Sequence, residues 1–239
     1  MIHHLHVAKK LGSPILRCVG GNLFTRDEGH DMTALADRAV EILREACKAA
    51  EDLDMKIAIE NHADFTAREL VAIRARVNSP ALGFTLDTGN VAFDLDDPVR
   101  VASILAPHAL ATHFKDYRIV RTDRGVALEN TYLGGGDIDL PAIIGLAAAA
   151  NPDICLSIEV HSQYAPFRLD VLEPGYFGRH PAPPGDGLSW YLRQSWDRPV
   201  VGPNDYQSLP DGAASWAVER DHIERGARWA RKTLASQLQ

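Results

Sequence analysis

Long hydrophobic runs are missing from this chain: nothing in its 239 residues comes near the ~18 consecutive apolar positions of a membrane span. The first residues, MIHHLHVAKKLG, lack the apolar core and small-residue cleavage site of a secretory signal. Cysteine is scarce. Cys18, Cys47 and Cys155 are scattered and odd in number, which argues against a disulfide framework and suits a reducing compartment. Basic charge is short as well, with 25 Lys and Arg against 32 Asp and Glu and a net charge of −7, which disfavours general affinity for a phosphate backbone. These shortages predict a cytoplasmic chain with neither nucleic acid nor membrane as partner. They leave room for a homo-oligomer.

What is present is an alternation. Short β-branched-rich runs at 14–19, 56–60, 82–87, 110–115 and 154–159 are separated by longer stretches of helical period. Between the first two runs, Leu35, Ala39, Leu43, Ala46, Ala50 and Leu53 recur at three- and four-residue spacings, as an amphipathic helix requires. Thr66, Asp97 and Asp139 stand where helix N-caps are expected, and Pro98 and Pro141 suit the first turns that follow. Strands separated by helices predict a parallel sheet of right-handed βαβ units, an α/β fold. The rhythm stops over 160–210, a Pro-, Gly- and aromatic-rich insertion, and a last helix is predicted near 212–236. His161, Tyr164, Phe167, Tyr176 and Trp190 in or beside that insertion are candidates for a lid.

Aligned at their C-terminal ends, four of the strands finish alike, in Glu60, Asp87, His113 and Glu159. The residues two before them, Ala58, Thr85, Ala111 and Ser157, share their face of the sheet and are all small. The intervening Ile59, Leu86, Thr112 and Ile158 are predicted to face covering helices. Three converging carboxylates repel one another and are costly to bury, and a divalent cation resolves this. Three oxygens and one imidazole suit Mn²⁺ first, then Mg²⁺ or Co²⁺, better than a thiolate-rich structural zinc site. In parallel α/β folds, active sites occupy this C-terminal edge.

The ordered set IAIENH (57–62), FTLDTGN (84–90), THFKD (112–116), GGGDID (134–139) and LSIE (156–159) resembles the sugar isomerase/epimerase family with the xylose-isomerase-like TIM barrel. The resemblance implies a (β/α)₈ barrel in which Glu60, Asp87, His113 and Glu159 hold the metal. It also implies that Glu60 and Glu159 are the catalytic acid/base pair, and that the substrate is a small sugar or polyol. His62, Asn90, Lys115 and Asp116 adjoin the matched ligands and are candidates for substrate binding, as is Arg17 inside the first strand. The glycines at 134–136 suit a bare turn better than a phosphate cradle, because no GxGxxG or Walker pattern accompanies them.

Only five strands are offered where a closed barrel has eight. The resemblance aligns the first residues with the middle of such barrels, so the first three βα units are expected to be absent, through truncation or completion by another chain. The expected domain is a single partial barrel over 1–239 with the 160–210 insertion within it. The leading function is a metal-dependent isomerase or epimerase of a keto-sugar or related polyol. A polyol dehydratase of the inosose or dehydroshikimate type and a non-catalytic barrel fragment are alternatives. An apurinic-site endonuclease is disfavoured, because Asn90 stands where that family has a zinc-binding histidine and no Asp-x-His follows THFKD.

Overall fold

Helix α1 (Ile2–Lys10) leads into strand β1 (Ile15–Cys18), the long helix α2 (Met32–Asp52) and strand β2 (Lys56–Glu60). Helix α3 (Ala67–Val77), strand β3 (Leu82–Asp87), helix α4 (Pro98–Leu105) and strand β4 (Ala109–His113) continue the alternation. The computed structural model describes residues 1–22, 25–160, 166–180, 186–202 and 213–237. The strands pair in chain order, β1-β2-β3-β4, all parallel, with helices covering one face. This curled sheet is part of a (β/α) barrel.

The helices begin where the sequence places their caps. Asp31 accepts hydrogen bonds from the Thr33 and Ala34 amides, Asp97 from those of Val99 and Arg100, and Thr66 forms a capping box with Glu69. The predicted stripe on α2 buries Leu43, Ala46 and Ala50 fully and Leu35, Ala39 and Leu53 partly, while Val40 and Cys47 complete the face. It packs with Leu70 and Ile73 of α3 over Ile57, Ile59 and Leu82 of the sheet. Full burial of each large aliphatic chain stabilises the fold by about 1.5–3 kcal/mol.

The strand expected at 154–159 does not form as a strand. Among the described residues it is reduced to one parallel bridge between Phe114 and Ile158, made by Phe114 N–H to Ser157 O (2.7 Å) and Glu159 N–H to Phe114 O (2.9 Å). The cause lies one step earlier. The Thr112 hydroxyl donates to Cys155 O at 2.7 Å and accepts from Ser157 N–H at 3.1 Å, inserting a side chain where the ladder would run. Backbone pairing starts only past it, yet the bridge suffices to bring Glu159 alongside β4.

A second sheet escaped the sequence pattern. Strands β5 (Asp116–Thr122) and β6 (Val126–Thr131) form an antiparallel hairpin directly after the THFKD motif, and helix α5 (Leu140–Ala150), capped by Asp139, follows. Strand β7 (Phe167–Leu169), helices α6 (Tyr176–Arg179) and α7 (Gly187–Ser195), strand β8 (Val200–Val201) and helix α8 (Ala213–Gln237) complete the chain, and the sheet runs β7-β6-β5-β8. The period of two is blurred in β5, where Tyr117, Ile119 and Val120 are all buried and only Arg118 and Arg121 emerge. The segment expected to be an insertion thus partly joins this sheet. Phe167 packs edge-on against Phe93 at 5.1 Å, Tyr176 stacks on His180, and Trp190 packs on Tyr191. His161 and Tyr164 lie outside the described residues. Among the described residues no helix is long and apolar enough to cross a membrane.

Replacing Thr66 by Ala removes the hydroxyl half of the α3 cap and is expected to cost about 1 kcal/mol. A lowered urea midpoint with an unchanged denaturant slope checks it.

Candidate metal centre

Glu60, Asp87 and His113 are the last residues of β2, β3 and β4, and Glu159 follows the bridge at Ile158. The register is staggered: Asp87 is level with His113, but Glu60 is level with Thr85. A stagger of this kind is what tilts strands around a barrel. The four ends still converge, with one ligand atom from each residue within 4.8 Å of all the others. His113 Nδ1 is 3.0 Å from Glu159 Oε2 and 3.3 Å from Glu60 Oε2. Ala58 and Thr85 lie buried on the ligand face beneath the cluster, as their spacing predicts.

The scaffold ties one oxygen of each inner carboxylate and turns the other to the centre. Asp87 Oδ1 accepts from Gly89 N–H (2.8 Å) and Asn90 N–H (2.7 Å), which leaves Oδ2 facing Lys115 Nζ at 2.9 Å. Glu60 Oε1 accepts from Asn90 Nδ2 at 3.1 Å, and its Oε2 meets His113 and the Arg17 guanidinium. A side chain at Gly89 would put its Cβ 2.6 Å from the Tyr117 ring, so this tight turn requires glycine. Asn61, which the sequence reading passed over, acts as a surrogate strand. Its amide accepts from Asp87 N–H and donates to Asp87 O, both at 2.8 Å, and so fixes the residue that carries the ligand. The only signal was its place between Glu60 and His62 in the ENH triplet.

The other candidates fall into different roles. Lys115 is buried and reaches Asp87, Glu159 (3.3 Å) and Asn90 Oδ1 (3.0 Å) together, and its backbone is pinned by the Thr88 hydroxyl. Arg17 and Asn90 also touch the cluster. Asp116 serves the next loop instead: its carboxylate accepts from Gly134 N–H (2.9 Å), Gly136 N–H (3.0 Å) and Ile138 N–H (3.4 Å). The glycine run is therefore a turn wrapped round a carboxylate, and a Cβ at Gly136 would collide with it. His62 is half-buried, its Nδ1 without a hydrogen-bond partner among the described residues, so it stands apart from the hydrogen bonds of the cluster.

Electrostatics expose the strain of gathering these groups. Burial pushes the Asp87 carboxyl above its usual range despite Lys115. Burial also acts to raise Glu60, but His113 and Arg17 outweigh it and its pKa falls. Glu159 and then Glu60 push His113 up to about 9, so the metal-free cluster holds an imidazolium at neutral pH. Asp87 Oδ2 and His113 Nδ1 are nonetheless shut from solvent without an aligned hydrogen bond among the described residues. Ligand atoms gathered toward one point, three oxygens and one nitrogen in type, fit a divalent cation.

Comparisons with known proteins identify the family and the fold. The model of the xylose isomerase-like TIM barrel family matches residues 1–191. The chain belongs to that family. A curated relative, the 3-oxo-isoapionate decarboxylase of Pectobacterium atrosepticum, is 28% identical over 109 residues, covering 45% of this chain and 40% of the relative. A xylose isomerase-like TIM barrel protein from Mycobacterium smegmatis in complex with magnesium superposes with TM-score 0.56 at 19% identity, over 81% of this chain and 64% of that one. The IolI protein with a bound zinc atom superposes with TM-score 0.53 at 17% identity, over 82% and 64%. The D-allulose 3-epimerase of Methylomonas sp. gives TM-score 0.53 at 17% identity, over 74% and 58%. This family member thus spans about two fifths of its curated relative and under two thirds of these barrels.

Two outcomes test the centre. A coordinating imidazole is neutral, so the metal must expel the proton that His113 retains below about pH 9. Apparent Mn²⁺ affinity should climb about tenfold per pH unit toward that value and then level off, with proton release visible by calorimetry in buffers of different ionisation enthalpy. Asn61→Ala, which leaves all four ligands in place, should weaken Mn²⁺ binding about 10- to 100-fold in the same titration.

Proposed function

We propose that this chain is a divalent-metal-dependent isomerase or epimerase acting on a keto-sugar or related polyol, with Glu60, Asp87, His113 and Glu159 as ligands and Mn²⁺ as the preferred ion. One observation supports the reading: Glu60 and Glu159 approach the same His113 nitrogen, at 3.3 and 3.0 Å, so two carboxylates address one point. The bound ion would supply Lewis acidity toward a carbonyl oxygen. The protein's own groups do the rest.

One glutamate removes the proton from the carbon next to the carbonyl, and the electron pair moves onto the carbonyl oxygen. The other glutamate returns a proton, to the opposite face of that carbon for epimerisation or to the adjacent carbon for isomerisation. The two carboxylates sit in unlike settings, which such a division of labour needs. Glu60 is wholly buried and held low by His113 and Arg17, whereas the Glu159 side chain is 32% exposed. Glu159 is the member placed to exchange protons with solvent. Lys115, in contact with both Asp87 and Glu159, keeps the second glutamate aimed while its protonation changes.

The 28% identical relative favours a second reading. By its name it decarboxylates an oxo-acid. Loss of carbon dioxide beside a carbonyl leaves the same anion as loss of a proton, so the same centre would serve with one glutamate as proton donor alone.

Incubating the Mn²⁺-loaded protein with ketoses in D₂O should introduce deuterium at the carbon beside the carbonyl, read by NMR. Glu159→Gln, assayed at Mn²⁺ concentrations that saturate its weakened centre, should lower the exchange by about 10²- to 10⁴-fold. Exchange that persists undiminished in both Glu60→Gln and Glu159→Gln removes the acid/base assignment.

A further inference from the structure

We propose that the substrate of this site carries a carboxylate and that Arg17 binds it. The inference rests on the catalytic reading above and adds the substrate's charge class and its anchoring residue.

The placement of Arg17 comes first. β1 pairs with β2 so that Arg17 is level with Ala58, and Ala58 shares its face of the sheet with Glu60. Arg17 therefore stands on the ligand side of the partial barrel, one step below the cluster. Its side chain is 43% exposed, whereas Glu60 beside it is fully buried. Only its Nε is engaged, on Glu60 Oε2; among the described residues no hydrogen bond or ion pair takes the terminal nitrogens. The open end of the guanidinium is the planar fork that matches a carboxylate in two parallel hydrogen bonds.

Charge then selects the ligand. Glu60, Asp87 and Glu159 bring three negative charges, and among the described residues the lysine and arginine side chains paired with them are Arg17 and Lys115. A divalent ion among the four ligand atoms, with His113 neutral, leaves one positive charge in excess. Lys115 cannot supply it to a substrate, because it is 5% exposed and already shared among Asp87, Glu159 and Asn90. The excess resides on Arg17, whose ion pair among the described residues is with Glu60 Oε2, an oxygen the ion would claim. A neutral ketose leaves that guanidinium uncompensated in a partly desolvated site. A sugar acid, bearing one negative charge, neutralises it. The competing role for Arg17 is to meet an anion that develops only during proton transfer, and ground-state binding separates the two.

The test titrates the Mn²⁺-loaded protein calorimetrically with 2-keto-D-gluconate and with D-fructose, which differ only in carrying a carboxylate or a hydroxymethyl group at the first carbon. The keto-acid should bind at least about tenfold tighter. Arg17→Gln should remove about tenfold of keto-acid affinity and change D-fructose binding less than about threefold, with Arg17→Lys between, since a point charge cannot pair in parallel. Equal or tighter binding of D-fructose overturns the inference, as does a keto-acid preference that survives in Arg17→Gln through the metal alone. Mn²⁺ affinity is measured for each variant. Should Arg17→Gln lose the ion, Arg17→Lys decides, and undiminished keto-acid affinity there counts against the fork. D-Fructose that binds without preference yet exchanges its proton in D₂O overturns the carboxylate and leaves the catalytic reading intact. Absence of exchange with either compound removes that reading too.

Discussion

Three carboxylates meeting at one point is the constraint from which the rest of this structure follows. At an effective dielectric of ~20, two unit charges ~4 Å apart interact by about 4 kcal/mol, and three such pairs rival the whole stability of a domain. Each neighbour of the cluster answers that repulsion. Arg17 leans on Glu60, Lys115 lies between Asp87 and Glu159, and His113 keeps a proton it would otherwise lose near neutrality. Without a divalent ion, these groups are what make the cluster tolerable.

The scaffold meets the constraint by geometry as well as by charge. Strand ends bring the ligands to one edge of the sheet, and helices α2 and α3 hold that sheet through the cluster of Leu43, Leu70, Ile73, Ile57 and Ile59. The second sheet begins at Asp116, three residues past His113, and its glycine turn is locked to the Asp116 carboxylate. The segment that bears His113 and Lys115 is therefore anchored on both sides. At the edges the sheet stays open: among the described residues β1 pairs only with β2, and Ile158 only with Phe114. Open parallel edges are sites for further pairing.

Most of the site was legible in the sequence because it is written at strand termini, where period two and residue type coincide. KIAIE and LGFTLD form strands with the bounds their patterns indicate, and their last residues join the four-residue cluster. What stayed hidden depends on contacts between distant residues. No local pattern reveals that Thr112 will interrupt the last ladder, or that Asn61 will bond both backbone groups of Asp87 across 26 positions. The β5–β6 hairpin was hidden for another reason, since burial on both sides erases the alternation that marks a strand. Asp116 was read as a site residue because it adjoins the matched His113, yet three positions on in an extended chain a side chain points to the opposite face, and its carboxylate goes to the loop.

The tying of one oxygen on each inner carboxylate has a consequence for coordination number. Asp87 Oδ1 is held by two backbone amides and Glu60 Oε1 by Asn90, which disposes each residue to offer a cation its other oxygen alone. A cation held there would meet one free oxygen from each of these residues, so the hydrogen bonds of Gly89 and Asn90 would set how many of its positions stay open to other oxygens.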